Sequence, residues 1–305
     1  MGGNGDEGGS GGSGGDGGSG GEGGSSGEGG GGGSSGQGGQ GGAGGQGGAG
    51  GSGGGGSGQG GAAGSAGAAG APSADPYGEA VLGDDPLVYY RFDEVKGSPA
   101  ALNAVPGAPS ATFLGAPELG VPGVLSRPGQ RALGLTLGSG ARFGSFGFRF
   151  DRAFTLELWL APEAFTDARR CVVQIEAGPG RGIMSLSLIE GGLEFLARGG
   201  DTPSGSGGVA SVLVDVEPRP GEFVYAAAAV SDFGVTFCRD QAGDFFCRAA
   251  LTYAPFQPAA EAPFVVGAAG GCGFEGAVDE LALYQKALPA DAMLRHATLG
   301  RGLLR

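Results

Sequence analysis

Hydrophobic and polar residues alternate with a period of two through most of the chain after Asp85. The run "FTLELWL" puts Phe154, Leu156, Leu158 and Leu160 on one face and Thr155, Glu157 and Trp159 on the other. In "IMSLSLIE", Met184, Leu186 and Leu188 oppose Ile183, Ser185 and Ser187. This period marks strands with one buried face. "PLVYYRF", "GLEFLARG", "SVLVDVE", "EFVYAAAAV", "GVTFCRD", "DFFCRAAL" and "PFVVG" are further short runs, punctuated by Gly, Pro, Asp or Ser. Many short strands between turn signals predict an all-β, two-sheet antiparallel sandwich of jelly-roll type. One segment, "LPADAMLRHA", predicts a short C-terminal helix. Pro289 suits its first turn, Asp291 complements its dipole, and Arg295 and His296 lie near its end. No helices alternate with the strands, which excludes a doubly wound parallel sheet.

Ahead of these runs the alternation is absent. Glycine supplies 75 of the 305 residues, most of them before Pro72, in Gly-Gly-X repeats. The repeats contain no proline, so they do not fit collagen. Apart from alanine they contain nothing apolar to offset the backbone entropy that glycine loses on ordering. The predicted division is a disordered tether over 1–75 and a folded domain over 76–305. As a flexible coil, ~70 such residues reach about 45 Å on average.

The net charge is −13, to which the tether contributes Asp6, Glu7, Asp16, Glu22 and Glu28. No cluster of Lys or Arg is present, which argues against a nucleic-acid partner. No apolar run approaches the ~18–20 residues that span a bilayer. The opening "MGGNGDEGGS" lacks the basic and apolar stretches of a secretory signal. It resembles the Gly/Ser-rich, mildly acidic spacer that follows the lipidated cysteine of bacterial lipoproteins, with Met1 in the cysteine's place. That resemblance implies a lipid anchor at a missing N-terminus and an extracytoplasmic location, at a bacterial cell surface or secreted.

The cysteines agree with that location. In "VTFCRDQAGDFFCRA", a two-residue turn at Ala242-Gly243 pairs Gln241 with Asp244. Counting outward sets Cys238 opposite Cys247 at a non-hydrogen-bonded site, within disulfide reach. Cys171 and Cys272 then pair by elimination. Disulfides imply an oxidising compartment; the alternative is four free thiols in the cytosol.

Four stretches occur in a telling order: "DPLVYYRFDE", "AFTLELWLAPEAF", "GEFVYAAAAVSDFGVTFCRDQAGD" and "GFEGAVDELALYQKALPADAM". Together, over residues 80–298, they resemble the laminin-G-like branch of the concanavalin A-like lectin/glucanase superfamily, the last stretch most specifically. Three positions depart from the family pattern: Phe223 replaces a usual Trp, "CRDQAGD" replaces the usual hairpin, and Pro289 replaces a capping Ser. The resemblance implies a jelly roll whose first and last strands are neighbours, with "LVYYRF" beside "VDELALY". It also implies calcium, which such folds often hold with oxygen ligands. Asp93, Glu94, Asn103 and Asp279 are the candidates, because those two strands bring them together.

Catalytic signals are weak. In a regular strand Asp279 and Glu280 point to opposite faces, Asp279 with Leu281 and Leu283, Glu280 with Tyr284. Glycoside hydrolysis needs two carboxyl groups flanking one bond, and "LELW" offers Glu157 alone. His296 reads as a surface or capping residue. No nucleophile-elbow, zinc-protease or phosphate-loop motif is present. The expected function is therefore a non-catalytic, surface-displayed binding or adhesion module for a glycan or a surface protein. Trp159, Glu157, Ser185, Ser187, Glu194 and Arg198 would line a groove if their strands share a sheet; the alternative places Trp159 in the core. A structural envelope protein without a small ligand, and a glycoside hydrolase of the same superfold, are the other readings.

Overall fold

The computed structural model describes residues 75–125, 127, 129–144, 148, 153–176, 182–199, 209–217, 219–251, 264–267 and 271–302. By compactness the chain divides into residues 1–64 and 65–305. Residues 1–74 of the predicted tether lie outside the described residues, and its last residue, Asp75, belongs to the folded part.

Helix α1 (Pro76–Gly83) comes first. Six short strands follow: β1 (Val88–Tyr90), β2 (Ala100–Ala101), β3 (Ala111–Leu114), β4 (Glu118–Pro122), β5 (Arg131–Leu135) and β6 (Gly140–Phe143). Next come β7 (Phe154–Pro162), β8 (Arg170–Glu176), β9 (Gly182–Ile189), β10 (Gly192–Gly199) and β11 (Val209–Asp215). The last strands are β12 (Val224–Ser231), β13 (Gly234–Gln241), β14 (Asp244–Leu251), β15 (Phe264–Val266) and β16 (Gly276–Tyr284). Helix α2 (Ala290–Gly300) follows them.

The strands form two antiparallel sheets. Sheet A runs β14-β13-β12-β7-β16-β5-β4, with β1 also paired to β16, and sheet B runs β11-β10-β9-β8-β15-β6-β3-β2. The expected all-β sandwich is thus the fold observed. The first and last strands are neighbours, Val88 opposite Leu283 and Tyr90 opposite Leu281. Between the sheets lies a core of apolar and aromatic side chains. Leu156, Leu158 and Phe237 of sheet A meet Met184, Leu186 and Phe195 of sheet B. The alternation in "FTLELWL" and "IMSLSLIE" places these residues inward.

Helix α1 was not legible as an element in the alternating pattern. Asp75 caps it, accepting from the Gly78 N–H at 3.0 Å, and Pro76 occupies its first turn. Both helices lie on the outer face of sheet A. There Tyr77, Val81, Met293 and Ala297 pack on Tyr89, Trp159, Tyr225 and Tyr284, forming a second buried layer. Pro289 is the extended residue just before α2 rather than its first turn.

Both disulfides are present, Cys238–Cys247 and Cys171–Cys272, and no cysteine is free. The hairpin register is the one counted from the sequence, with Cys238 opposite Cys247 and Gln241 opposite Asp244. Ala242 and Gly243 both take positive φ, 52° and 87°, as a two-residue type I′ hairpin turn requires. On the far side of this hairpin, β11 is the edge of sheet B. Its carbonyl groups at Leu213 and Asp215 accept from Arg248 and Arg239 of the hairpin at 2.8 and 3.1 Å.

Candidate functional site

The groups with the most reactive chemistry form a sealed cluster. Glu157 projects from the outer face of β7 beneath α2 and is fully buried. It accepts from Tyr225 and Tyr284, and its carboxylate lies 3.0 Å from His296 Nδ1. The other imidazole nitrogen lies 3.1 Å from Asp84, which follows α1. His296 is therefore a buried link between a strand and two helices, not the surface or capping residue expected. Its neighbours explain the change: an imidazolium between two carboxylates can stay charged without water. Burial pushes the His296 pKa down, but Glu157 and Asp84 outweigh it and hold the value above the usual one. Burial likewise pushes Glu157 up, and the His296 charge with the three hydrogen bonds brings it below the usual carboxylate value.

Asp279 and Glu280 also differ from expectation. A register shift falls between Asp279 and Ala282, where β16 leaves β5 and takes β1 as its neighbour. Glu280 sits at φ 50° in this bulge. Asp279 therefore lies opposite Trp159 on the outer face, whereas Leu281 and Leu283 point into the core. Both carboxylates reach Gln130 Nε2, at 2.8 and 3.3 Å, so they share a side rather than facing apart. Arg91 and Arg127 sit 3.3 and 3.6 Å from Glu280, and Tyr89 donates to it. Burial raises both pKa values, and the Glu280 charge raises Asp279 further. The cations face Glu280, so Asp279 is the member whose pKa its neighbour's charge holds up. This pair is framework, closed under α1 and the loop before β5.

The four calcium candidates all have protein partners in the structure. Among the described residues no three His, Cys, Asp or Glu are placed to hold one ion. Asp93 accepts from Arg127 and the Arg131 N–H, and Glu94 from the Leu102 N–H. Asn103 accepts from the Tyr89 and Val105 N–H groups, and Asp279 from Val124. Arg91 and Arg127 place positive charge beside Asp93 and Glu280.

The expected groove is divided as well. Ser185, Ser187 and Glu194 share the outer face of sheet B, Glu194 paired across to Ser187. Trp159 and Glu157 lie on the outer face of sheet A, on the opposite side of the sandwich. The Arg198 side chain lies outside the described residues. Glu194 is held by Arg169 at 2.5 Å and by Ser211 at 2.7 Å. Trp159 is 1% exposed, with Arg301 across its ring and the end of α2 against it. It packs as core and leaves only an edge open.

That edge opens into a cleft of about 390 Å³ lined by Val124, Trp159, Glu222, Phe223, Gly243 and Arg301. The cleft lies against the tip of the disulfide-bonded β13–β14 hairpin. The Asp240 carboxylate fixes this tip, accepting from the Gly243 N–H at 3.0 Å and pairing with Arg301 at 2.7 Å. Phe223, singled out as a family departure, and Arg301, which no sequence signal marked, are its open walls.

A family model described as Laminin_G_3, of the concanavalin A-like lectin/glucanases superfamily, matches residues 136–292. The chain belongs to this family. Comparison with curated proteins finds no match. Among solved structures, the botulinum neurotoxin serotype D ligand binding domain, in complex with N-acetylneuraminic acid, is similar at TM-score 0.50 and 9% identity. The match covers 73% of this chain and 52% of that one. The enzymatically active domain of bacteriophage CBA120 tailspike protein 2 matches at TM-score 0.50 and 15% identity, over 63% of this chain and 31% of that one. Domain 4 of AbnA, a GH43 extracellular arabinanase from Geobacillus stearothermophilus, in complex with arabinotriose, matches at TM-score 0.47 and 16% identity. That match covers 70% of this chain and 98% of that domain. The chain thus spans about half the length of the toxin domains and a third of the tailspike domain. At these identities the likeness concerns the fold.

Proposed function

We propose that this chain is a non-catalytic binding module working outside the cytoplasm, and that it recognises carbohydrate in the cleft beside the hairpin tip. The observation that carries this reading is the contrast between sealed and open groups. The carboxylates and imidazole with shifted pKa values are buried under α1 and α2. The open cleft instead combines an aromatic wall, Phe223, with Glu222 and Arg301, a composition suited to a sugar ring and its hydroxyls. The family supports the reading, because its fold also carries the toxin domain that holds N-acetylneuraminic acid. Two disulfides support an oxidising compartment. Surface display through the glycine-rich segment and a lipid anchor belongs to the same proposal.

A glycan array tests it. Saturable binding to a carbohydrate is expected, weakened ~10-fold in Phe223→Ala, a loss of about 1.4 kcal/mol. Binding to no glycan together with capture of one defined envelope protein would overturn the carbohydrate reading. Hydrolysis of any bound glycan would overturn the non-catalytic one.

A further inference from the structure

The hairpin tip has a cleft on each side. The second, of about 440 Å³, is lined by Asp215, Glu217, Arg219, Arg239, Gln241 and Asp244. Ala242, at the turn itself, borders both clefts. Arg219 also connects them. It pairs with Glu222 of the first cleft at 3.3 Å and with Glu217 of the second at 2.5 Å. The two depressions therefore adjoin around a single ridge.

That ridge is tied down more firmly than a turn needs. The Cys238–Cys247 bond crosses its base. The Gln241 amide makes two 2.8 Å hydrogen bonds to the Glu217 backbone, one accepted and one donated. Arg239 donates to the Asp215 carbonyl and pairs with Asp244. Asp240 fixes the Gly243 N–H and Arg301. These ties join the hairpin to the segment after β11 and to the end of α2, so three separate parts of the chain meet as one preformed surface. A preformed surface loses little conformational freedom on binding, which favours affinity for a flexible chain ligand.

The charges select the ligand's chemistry. The two clefts present Asp215, Glu217, Glu222 and Asp244 against Arg219, Arg239 and Arg301. The signs are interleaved and the sum is one negative charge, in a chain of net charge −13. Such a lining offers donors and acceptors to hydroxyl groups and no positive field to draw a polyanion. Resting on the carbohydrate reading above, we infer that the two clefts are adjacent subsites of one groove that takes a neutral oligosaccharide laid across the hairpin tip.

The test is a titration series with the full chain. The probes are neutral oligosaccharides of one to six units from the glycan class found on the array, with uronic-acid oligomers of equal length beside them. Affinity should rise at least ~10-fold from one unit to three or four and then level off, as the second subsite fills. Glu217→Gln and Asp244→Asn lie on exposed positions of the second cleft, and the double variant should keep the wild-type melting temperature. It should weaken the longer oligomers at least ~10-fold more than it weakens the single unit. An affinity independent of length, wild-type binding of the hexamer by the double variant, or tighter binding of the uronic-acid series would overturn the two-subsite groove while leaving carbohydrate binding in place. Binding of no glycan at any length would overturn both.

Discussion

Sheet A separates two buried layers of different chemistry. Its inner face meets sheet B through apolar packing, with Leu156, Leu158, Phe195 and Phe237 in contact. Its outer face is just as dry, yet it holds Glu157, His296, Asp279 and Glu280 among Tyr77, Trp159 and Met293. The inner layer is held by the area it removes from water, which has no dependence on protonation. The outer layer is held by helices whose charged groups must stay matched. Removing a carbon side chain leaves a cavity; removing one partner of a buried ion pair leaves an uncompensated charge. The two layers can therefore be equally costly to damage and still differ in how pH affects the damage.

The largest expected effects come from opening each layer. Phe195→Ala and His296→Leu should each cost about 3–5 kcal/mol in urea unfolding at pH 7. They should separate when pH is varied. His296 has a raised folded pKa, so its contribution is complete below the unfolded value of about 6.5 and is lost as pH rises through the folded value. Glu157 has a lowered folded pKa, so its contribution is present above about 4.3 and is lost as pH falls through the folded value. Phe195→Ala should keep the wild-type pH profile with a lower maximum. His296→Leu should lose the part of the alkaline decline that His296 carries. Parallel profiles for both variants would show that the outer layer is held as the inner one is.

A smaller effect is expected at Gly300. A Cβ there would lie 2.4 Å from the Trp159 ring, which is clamped between α2 and β7. Gly300→Ala should cost about 1–3 kcal/mol through overpacking. A cost within a few tenths of that of a surface substitution would mean that α2 rides freely on the indole.

The smallest effect is expected at Asp279. Its raised pKa means that its stabilising share is complete below about 3.9 and is lost as pH rises through the folded value. Asparagine mimics the protonated form, so Asp279→Asn should cost less than ~1 kcal/mol at pH 7 and flatten the remaining alkaline decline. A loss of ~3 kcal/mol or more would show that Asp279 is ionised and that the bulge depends on its charge.

The inner layer was readable from alternation because a strand's side chains obey a fixed period whatever covers them. Leu156, Met184 and Leu188 face inward as read, and the hairpin register set by Ala242-Gly243 leads directly to Cys238–Cys247. The outer layer was not readable in the same way. Glu157 and Trp159 fall on the correct face, but alternation does not say whether that face meets water or a helix. The cover includes α1, whose start Asp75-Pro76 does signal, although its glycine-rich approach hides it. The bulge at Glu280 reverses the facing of Asp279 for a reason set by strand order, namely the change of neighbour from β5 to β1. The candidate cleft was legible only in part. Phe223 stood out as a departure from the family, whereas Arg301 and Glu222 reach it through tertiary packing alone.

The two arginines that reach across from the hairpin to β11 have a consequence for crowded conditions. By occupying the Leu213 and Asp215 oxygens, they deprive the outermost ladder of sheet B of acceptors that an invading strand would need. A strand adding there would have to compete with two guanidinium groups for those oxygens, which disfavours growth of one sandwich onto the next along that border.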